Sequence, residues 1–152
     1  MATTPTTAIT IEVADAALHG DLSIPAGAQG IVIFAHGSGS GRLSPRNRFV
    51  AGILSDAGLA TLLFDLLSER EEAMDVRTGQ YRFDIPLLAR RLVAVTDWAG
   101  GNGRTRDFVP GYFGASTGAA AALIAAAERP DRVRAVVSRG GRPDLADRYL
   151  GR

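Results

Sequence analysis

The chain has no cysteine and no lysine, and only two histidines and one tryptophan among its 152 residues. Without cysteine there is no disulfide, no thiolate metal site and no cysteine nucleophile. Without lysine there is no Walker-type phosphate loop, which needs that ammonium group at the end of its glycine turn. No apolar run approaches membrane-spanning length. The N-terminal Met1-Ala2-Thr3-Thr4-Pro5 lacks the basic start and apolar core of a secretory signal. Net charge is scarce too. The 17 basic residues, all arginine, face 16 carboxylates, so neither nucleic acid nor an anionic membrane is an expected partner. Hydrophobic residues make up 46% and charged residues 22%, which predicts a soluble globular chain. The natural expectation is one domain, residues 1–152, in the cytoplasm.

What is present is an alternation of short apolar runs with amphipathic stretches. Ile9, Ile11 and Val13 alternate as in a half-buried strand, and Leu18 to Ile24 reads as a second strand that pairs with it antiparallel at one edge of a sheet. Ile31 to Ala35 and Leu59 to Phe64 are continuous apolar runs, suited to strands covered on both faces. Ser44 is a good N-cap and Pro45 a good first residue for a helix with Phe49, Val50, Ile53 and Leu54 on its apolar stripe, closed by Gly58. The polar stretch Ser68 to Arg82 reads as a solvated loop or short helix. Asp84 caps a helix that buries Ile85, Leu88, Leu92 and Val95. Phe108 to Phe113 is a strand, with Pro110 expected near its start because proline cannot donate to a ladder. An alanine-rich helix follows, ended by Pro130. Val133 to Val137 is a sixth strand, and Asp144 to Tyr149 forms a last helical turn. The order β-β-β-α-β-α-β-α-β predicts an α/β fold, a mostly parallel sheet of about six strands with helices on both faces.

The segment Gly114-Ala115-Ser116-Thr117-Gly118 falls between a strand and a helix and reads G-x-S-x-G. This pattern places a serine on a sharp strand-to-helix turn with its hydroxyl clear of the sheet. Ser116 is the candidate nucleophile. The N–H of Thr117, the residue after it, is one candidate oxyanion-hole donor. The second is expected from the glycine-rich turn His36-Gly37-Ser38-Gly39-Ser40-Gly41, with Ser38 preferred and Gly39 next. Such donors are commonly worth about 3 kcal/mol each. The same turn follows a strand as a dinucleotide loop would, but Arg42 stands where G-x-G-x-x-G needs its third glycine.

Taken together, His36-Gly37-Ser38-Gly39-Ser40, Ser44-Pro45-Arg46-Asn47, the stretch Gly111 to Gly118 and Ser138-Arg139-Gly140-Gly141-Arg142-Pro143-Asp144 resemble the α/β-hydrolase superfamily, most closely its dienelactone-hydrolase-related branch. The resemblance covers essentially the whole chain. It implies a truncated α/β-hydrolase fold, hydrolysis of short acyl esters or lactones through an acyl-enzyme on Ser116, and no cofactor or metal. It also implies two further strands and a catalytic histidine that have no counterpart before Arg152. Only 36 residues follow Ser116, and none is histidine. His36, in the oxyanion turn, is then the candidate base, with a partner residue or water as alternatives. Asp144, after the sixth strand, is the candidate acid or a helix cap. His19 reads as a strand residue, Asp65 as a weaker acid, and Arg46 and Arg139 as salt-bridged or anion-holding groups. An exposed sixth strand would recruit a second copy, so a homodimer through that sheet edge is expected. The alternative function is a catalytically impaired hydrolase-like binding module, or half of a split hydrolase.

Overall fold

A computed structural model describes residues 3–151. Six strands, β1 (Thr6–Val13), β2 (Ala16–Ser23), β3 (Gly30–Ala35), β4 (Ala60–Phe64), β5 (Val109–Ala115) and β6 (Val136–Arg139), form one sheet in the order β1-β2-β4-β3-β5-β6. The β1–β2 hairpin is antiparallel and joins β4 antiparallel; β4, β3, β5 and β6 run parallel. The α/β expectation holds, and the parallel strands deliver their C-terminal ends, where loops carry chemistry, to one edge.

Local chemistry explains the helices. Helix α1 (Pro45–Asp56) starts where the Ser44 side chain accepts the Asn47 N–H and Pro45 supplies a preset φ. Helix α2 (Glu69–Thr78) begins with a reciprocal capping box between Ser68 and Glu71 and ends at Gly79 in the left-handed region. Helix α3 (Ile85–Gly101) is capped by Asp84, whose carboxylate accepts the Leu87 N–H. Helix α4 (Thr117–Glu128) is mostly alanine, and these small side chains bring it close to the sheet. A short 3-10 stretch, Pro143–Tyr149, packs against α4.

The main core lies between the sheet and α3 with α4, around Ile33, Leu62, Leu92, Tyr112 and Ala121. On the opposite face α1 covers a smaller cluster of Phe34, Ala51, Leu63 and Phe113. Val50 and Leu54 of the expected α1 stripe pack on this cluster, but the structure corrects the other half of the stripe. Phe49 is 70% and Ile53 53% exposed, while Ala51 and Asn47 are buried. The small Ala51 lets α1 settle on the sheet along a narrow strip, which leaves its larger neighbours outside. The sixth strand is also displaced from the expected Val133–Val137 to Val136–Arg139. It has to accompany β5 as far as Ala115, which pairs with Arg139. Pro110 is the second residue of β5, near the start as expected, and its carbonyl accepts the Arg134 N–H at 3.0 Å.

The stretch Ser68–Arg82 is a helix and a tight turn rather than a solvated loop. Glu71 in α2 reaches Arg91 of α3 at 2.8 Å, and Arg91 is buried while also donating to the Leu66 carbonyl. No helix among the described residues is long and apolar enough to cross a membrane.

Candidate active site

Strand β5 ends at Ala115 and α4 begins at Thr117, so Ser116 alone makes the reversal. Its φ is 54° and ψ −121°. It is the one non-glycine residue at positive φ among the described residues. A backbone held there costs about 1–3 kcal/mol and persists only where its surroundings enforce it. Enforcement comes from both sides. The Ser116 N–H donates to the Arg139 carbonyl at 3.2 Å, and the Ala119 N–H donates to the Ser116 carbonyl at 3.0 Å.

The two glycines of the motif are the contact points of the turn. A Cβ on Gly114 would stand 2.6 Å from the Ala119 Cα. A Cβ on Gly118 would run into the carbonyl oxygens of Ala35 and His36. Strand β5, helix α4 and the end of β3 therefore meet at a separation that no side chain permits. The result is an exposed Ser116 whose hydroxyl makes no capping bond to α4. It stands free at a helix N-terminus, where the aligned backbone dipoles favour developing negative charge.

The glycine-rich turn after β3 folds back onto this point. A Cβ on Gly37 would lie 3.3 Å from both the Ala115 carbonyl oxygen and the Ser116 Cβ. The next residue, Ser38, has its Oγ 2.9 Å from the Thr117 Oγ1 and donates to the Arg82 carbonyl at 2.8 Å. The structure thus brings Ser116, Ser38 and Thr117 together. A carbonyl approaching Ser116 meets the first turn of α4 on one side and the Ser38 loop on the other.

The expected base and acid fare differently. His36 is buried, its Nδ1 lies 2.8 Å from the Gly37 carbonyl, and its Nε2 accepts the Leu66 N–H at 3.0 Å. With Nδ1 protonated to donate to that carbonyl, both nitrogens are committed. His36 braces the turn against β4 and has no lone pair left for Ser116, which corrects its assignment as base. Asp144 is also corrected. It is exposed and pairs with Arg142 through two bonds of 3.0 and 2.9 Å, which hold its carboxyl below the usual range. It orients no histidine, because His36 is engaged in its own turn and His19 pairs with Glu69 at 3.0 Å. Asp65 is taken up by Arg42, through the backbone N–H at 2.7 Å and the guanidinium at 2.6 Å. Arg46 and Arg139 are exposed, and Arg139 serves the site through its carbonyl. A cavity of about 700 Å³ opens beside the turn, bordered by His36, Ser40, Arg42, Leu67 and Glu72.

Sequence reasoning had no purchase on Asp75 and Arg82, which shape the turn that Ser38 touches. Both sit in a run of charges whose composition predicts solvent. The signal present was Gly79, which ends α2 four residues after Asp75 and folds the chain back over it.

The committed state of His36 makes stability sensitive to acid. Burial lowers its pKa below 6.5, against the opposing pull of the Gly37 carbonyl and of Asp65 and Glu72. The unfolded chain takes up this proton first, so the contribution to stability is complete above pH 6.5 and shrinks as the pH falls below it. A second loss follows below the ordinary Glu71 value of 4.5. Burial alone would raise that carboxyl, but the hydrogen bonds from Arg91 and Ser68 outweigh it and hold it low. Urea unfolding at about pH 8 and about pH 5 checks the first step. Equal midpoints at the two values would reject it.

No family model matches the sequence. A crystal structure of a dienelactone hydrolase from Anabaena variabilis superposes with a TM-score of 0.96 at 60% identity, over 98% of this chain and 69% of that one. A Mycobacterium tuberculosis protein provisionally named a phosphoribosyl transferase is 58% identical over 132 residues, 87% of this chain. The chain spans 29% of the length of that relative. A dienelactone hydrolase-like promiscuous phosphotriesterase from metagenomic libraries shares the fold, with a TM-score of 0.72 at 19% identity over 98% of this chain and 66% of that one. The elbow at Ser116, the sheet that carries it and this likeness to the Anabaena protein lead to one assignment: the chain belongs to the dienelactone hydrolase family and has an α/β-hydrolase fold.

Proposed function

We propose that the chain carries the nucleophile and oxyanion hole of a serine hydrolase acting on short acyl esters or lactones. The carrying observation is Ser116, exposed, strained and uncapped at the head of α4. In the proposed reaction the Ser116 Oγ attacks the substrate carbonyl and loses its proton to a base. The amides of Ser38 and Thr117 hold the oxyanion. The intermediate collapses, the alcohol leaves with a proton, and water then hydrolyses the acyl-enzyme. For a lactone the leaving alcohol stays tethered to the acyl group. The cavity bordered by His36, Ser40 and Leu67 opens beside the same turn, but Ser116, Ser38 and Thr117 do not line it.

The ring of His36 is committed to Gly37 and Leu66, so the base is a further group brought to the elbow. Strand β6 offers the route. It is the last strand in the sheet order, and Val137 on it is 52% exposed. Bare apolar edges recruit further strands. A polypeptide pairing along β6 would reach the same end of the sheet as Ser116, because β5 and β6 run parallel into the elbow. A second copy of the chain in a homodimer would cover this edge but carries only the same two histidines, so we assign the base first to a further polypeptide segment pairing along β6. Phosphoribosyl transfer, in the name of the mycobacterial relative, belongs to a protein of which the aligned part is 29%.

A fluorophosphonate probe tests the reading. Labelling mapped to Ser116 by peptide mass analysis, and abolished in Ser116→Ala, is the expected result. A folded chain that resists labelling at saturating probe, alone and with added copies or C-terminal polypeptide, would favour the binding-module reading. Sedimentation at micromolar concentration reads the dimer directly, and a monomer there rejects it.

A further inference from the structure

Asp75 is 1% exposed, yet it carries a charge and lies outside the proposed reaction. Its Oδ1 accepts the N–H groups of Tyr81 at 2.8 Å and Arg82 at 3.0 Å. Its Oδ2 accepts Arg82 Nε at 3.1 Å, and Arg82 Nη2 returns to the Asp75 carbonyl at 2.9 Å. Gly79, at φ 68°, turns the chain inside this clamp, and its N–H also donates to the Asp75 carbonyl. One carboxylate therefore closes the turn 79–82. A buried charge is costly unless paired and hydrogen-bonded, and here the contacts close the turn and hold Arg82 by its backbone N–H and its guanidinium.

The carbonyl of Arg82 is what this turn presents to the active site. It accepts the Ser38 hydroxyl proton at 2.8 Å. A serine hydroxyl has one proton to give. The 2.9 Å contact between Ser38 and Thr117 must then run the other way, from the Thr117 hydroxyl to the Ser38 Oγ. The result is a directed chain, Thr117 to Ser38 to Arg82, anchored by Asp75.

We propose that Asp75 and Arg82 are positioning residues for the oxyanion hole, acting through the hydroxyls of Ser38 and Thr117; this rests on the Ser116 hydrolase reading. The two oxyanion amides belong to different elements, the loop after β3 and the first turn of α4, separated by 79 residues of chain. The Ser38 loop is rich in glycine, with Gly39 at φ 74°. Its backbone closes on itself through the Ser40 N–H and the Gly37 carbonyl at 3.1 Å, a bond within the loop that does not reach α4. The hydroxyl pair ties the loop to α4, and the Arg82 carbonyl sets where that tie sits. A displacement of about 1 Å in such a site is enough to cost about 100-fold in rate.

The test has two arms. In the first, amide ¹⁵N relaxation is read at Ser38 and Thr117, with no turnover required. Asp75→Asn is expected to lower the order parameter at both amides, Thr117→Val at Ser38, and Ser38→Ala at Thr117, each from about 0.85 towards flexible values. The β1–β2 hairpin is expected to stay unchanged. In the second arm, Ser116-dependent hydrolysis of p-nitrophenyl acetate is followed. The three variants are expected to lower kcat about 10- to 100-fold with KM within about twofold of wild type. Thr117→Ser, which keeps the hydroxyl, should lose less than Thr117→Val. The double variant Ser38→Ala/Thr117→Val should be no worse than the poorer single one, because both break the same chain. Rigid Ser38 and Thr117 amides in folded variants would overturn the proposal, as would a loss that falls on KM alone. Should Asp75→Asn not fold, the two hydroxyl variants decide. If the wild type shows no Ser116-dependent turnover, alone or with the polypeptide that supplies the base along β6, the hydrolase reading fails, and the relaxation arm still decides whether the chain of contacts holds the two amides.

Discussion

Gly118→Ala is expected to destabilise the chain by more than about 4 kcal/mol, or to prevent folding, a loss reserved for core clashes and comparable faults. Adding a methyl group to a packed interior commonly costs about 1–3 kcal/mol, because side chains rotate away from it. At Gly118 the obstacles are the carbonyl oxygens of Ala35 and His36, which are backbone and cannot rotate away. The end of β3 is pinned by its parallel pairing to both β4 and β5. Helix α4 would have to lift from the sheet. That would expose the buried face formed by Ala119, Ala120, Ala121, Ala122, Ile124 and Ala125. Gly52→Ala is the matched control. Gly52 is exposed within α1 and a Cβ there meets nothing within 4 Å. It should gain about 0.5–1 kcal/mol from the ordinary helix preference for alanine. Urea unfolding measures both. A Gly118→Ala chain within about 1 kcal/mol of wild type would reject the close-approach argument.

The same contrast explains what the sequence discloses. Gly114, Ser116 and Gly118 were legible because a strained turn between a strand and a helix tolerates few residue types, so its chemistry is written in adjacent letters. The parallel sheet was legible because Ile31–Ala35 and Leu59–Phe64 are apolar at successive positions, as strands covered on both faces must be. Caps such as Ser44 and Asp84 act over three residues and were equally local. What escaped were contacts between distant segments. Asp75 is a buried charge in a stretch whose composition predicts solvent, Arg91 is a buried charge within the amphipathic helix α3, and their partners lie on other turns or elements. His36 stood in the right loop for a base. Only the position of the Leu66 N–H, 30 residues on, shows that its second nitrogen is already used. The exposure of Phe49 and Ile53 was hidden for a related reason. An apolar stripe states which side chains could be buried, not how wide a strip of sheet is available to cover them.

Ser116→Cys is expected to raise the rate of acylation by an activated ester by about 100-fold or more over the wild-type chain assayed alone, a direction opposite to that expected where a complete triad serves the serine. The difference lies in how much each nucleophile depends on a base. A serine hydroxyl must lose its proton to become an effective nucleophile, and His36 has no free nitrogen to take it. A thiol needs far less help. Its ordinary pKa is about 8.5, so a few per cent is thiolate at neutral pH, and a helix N-terminus lowers the value further. Position 116 stands at the head of α4 with its side chain exposed and uncapped, which is where that lowering acts. The amides of Ser38 and Thr117, proposed above as the oxyanion hole, are common to both proteins and cancel in the comparison. The release of p-nitrophenol in a single-turnover burst gives the acylation rate, and Ser116→Ala sets the baseline without a nucleophile. If a second copy or an added C-terminal polypeptide supplies the base along β6, the wild-type rate rises on its addition while the cysteine variant changes little. A cysteine variant slower than wild type in the isolated chain would mean that Ser116 already has a competent base among the side chains around the elbow.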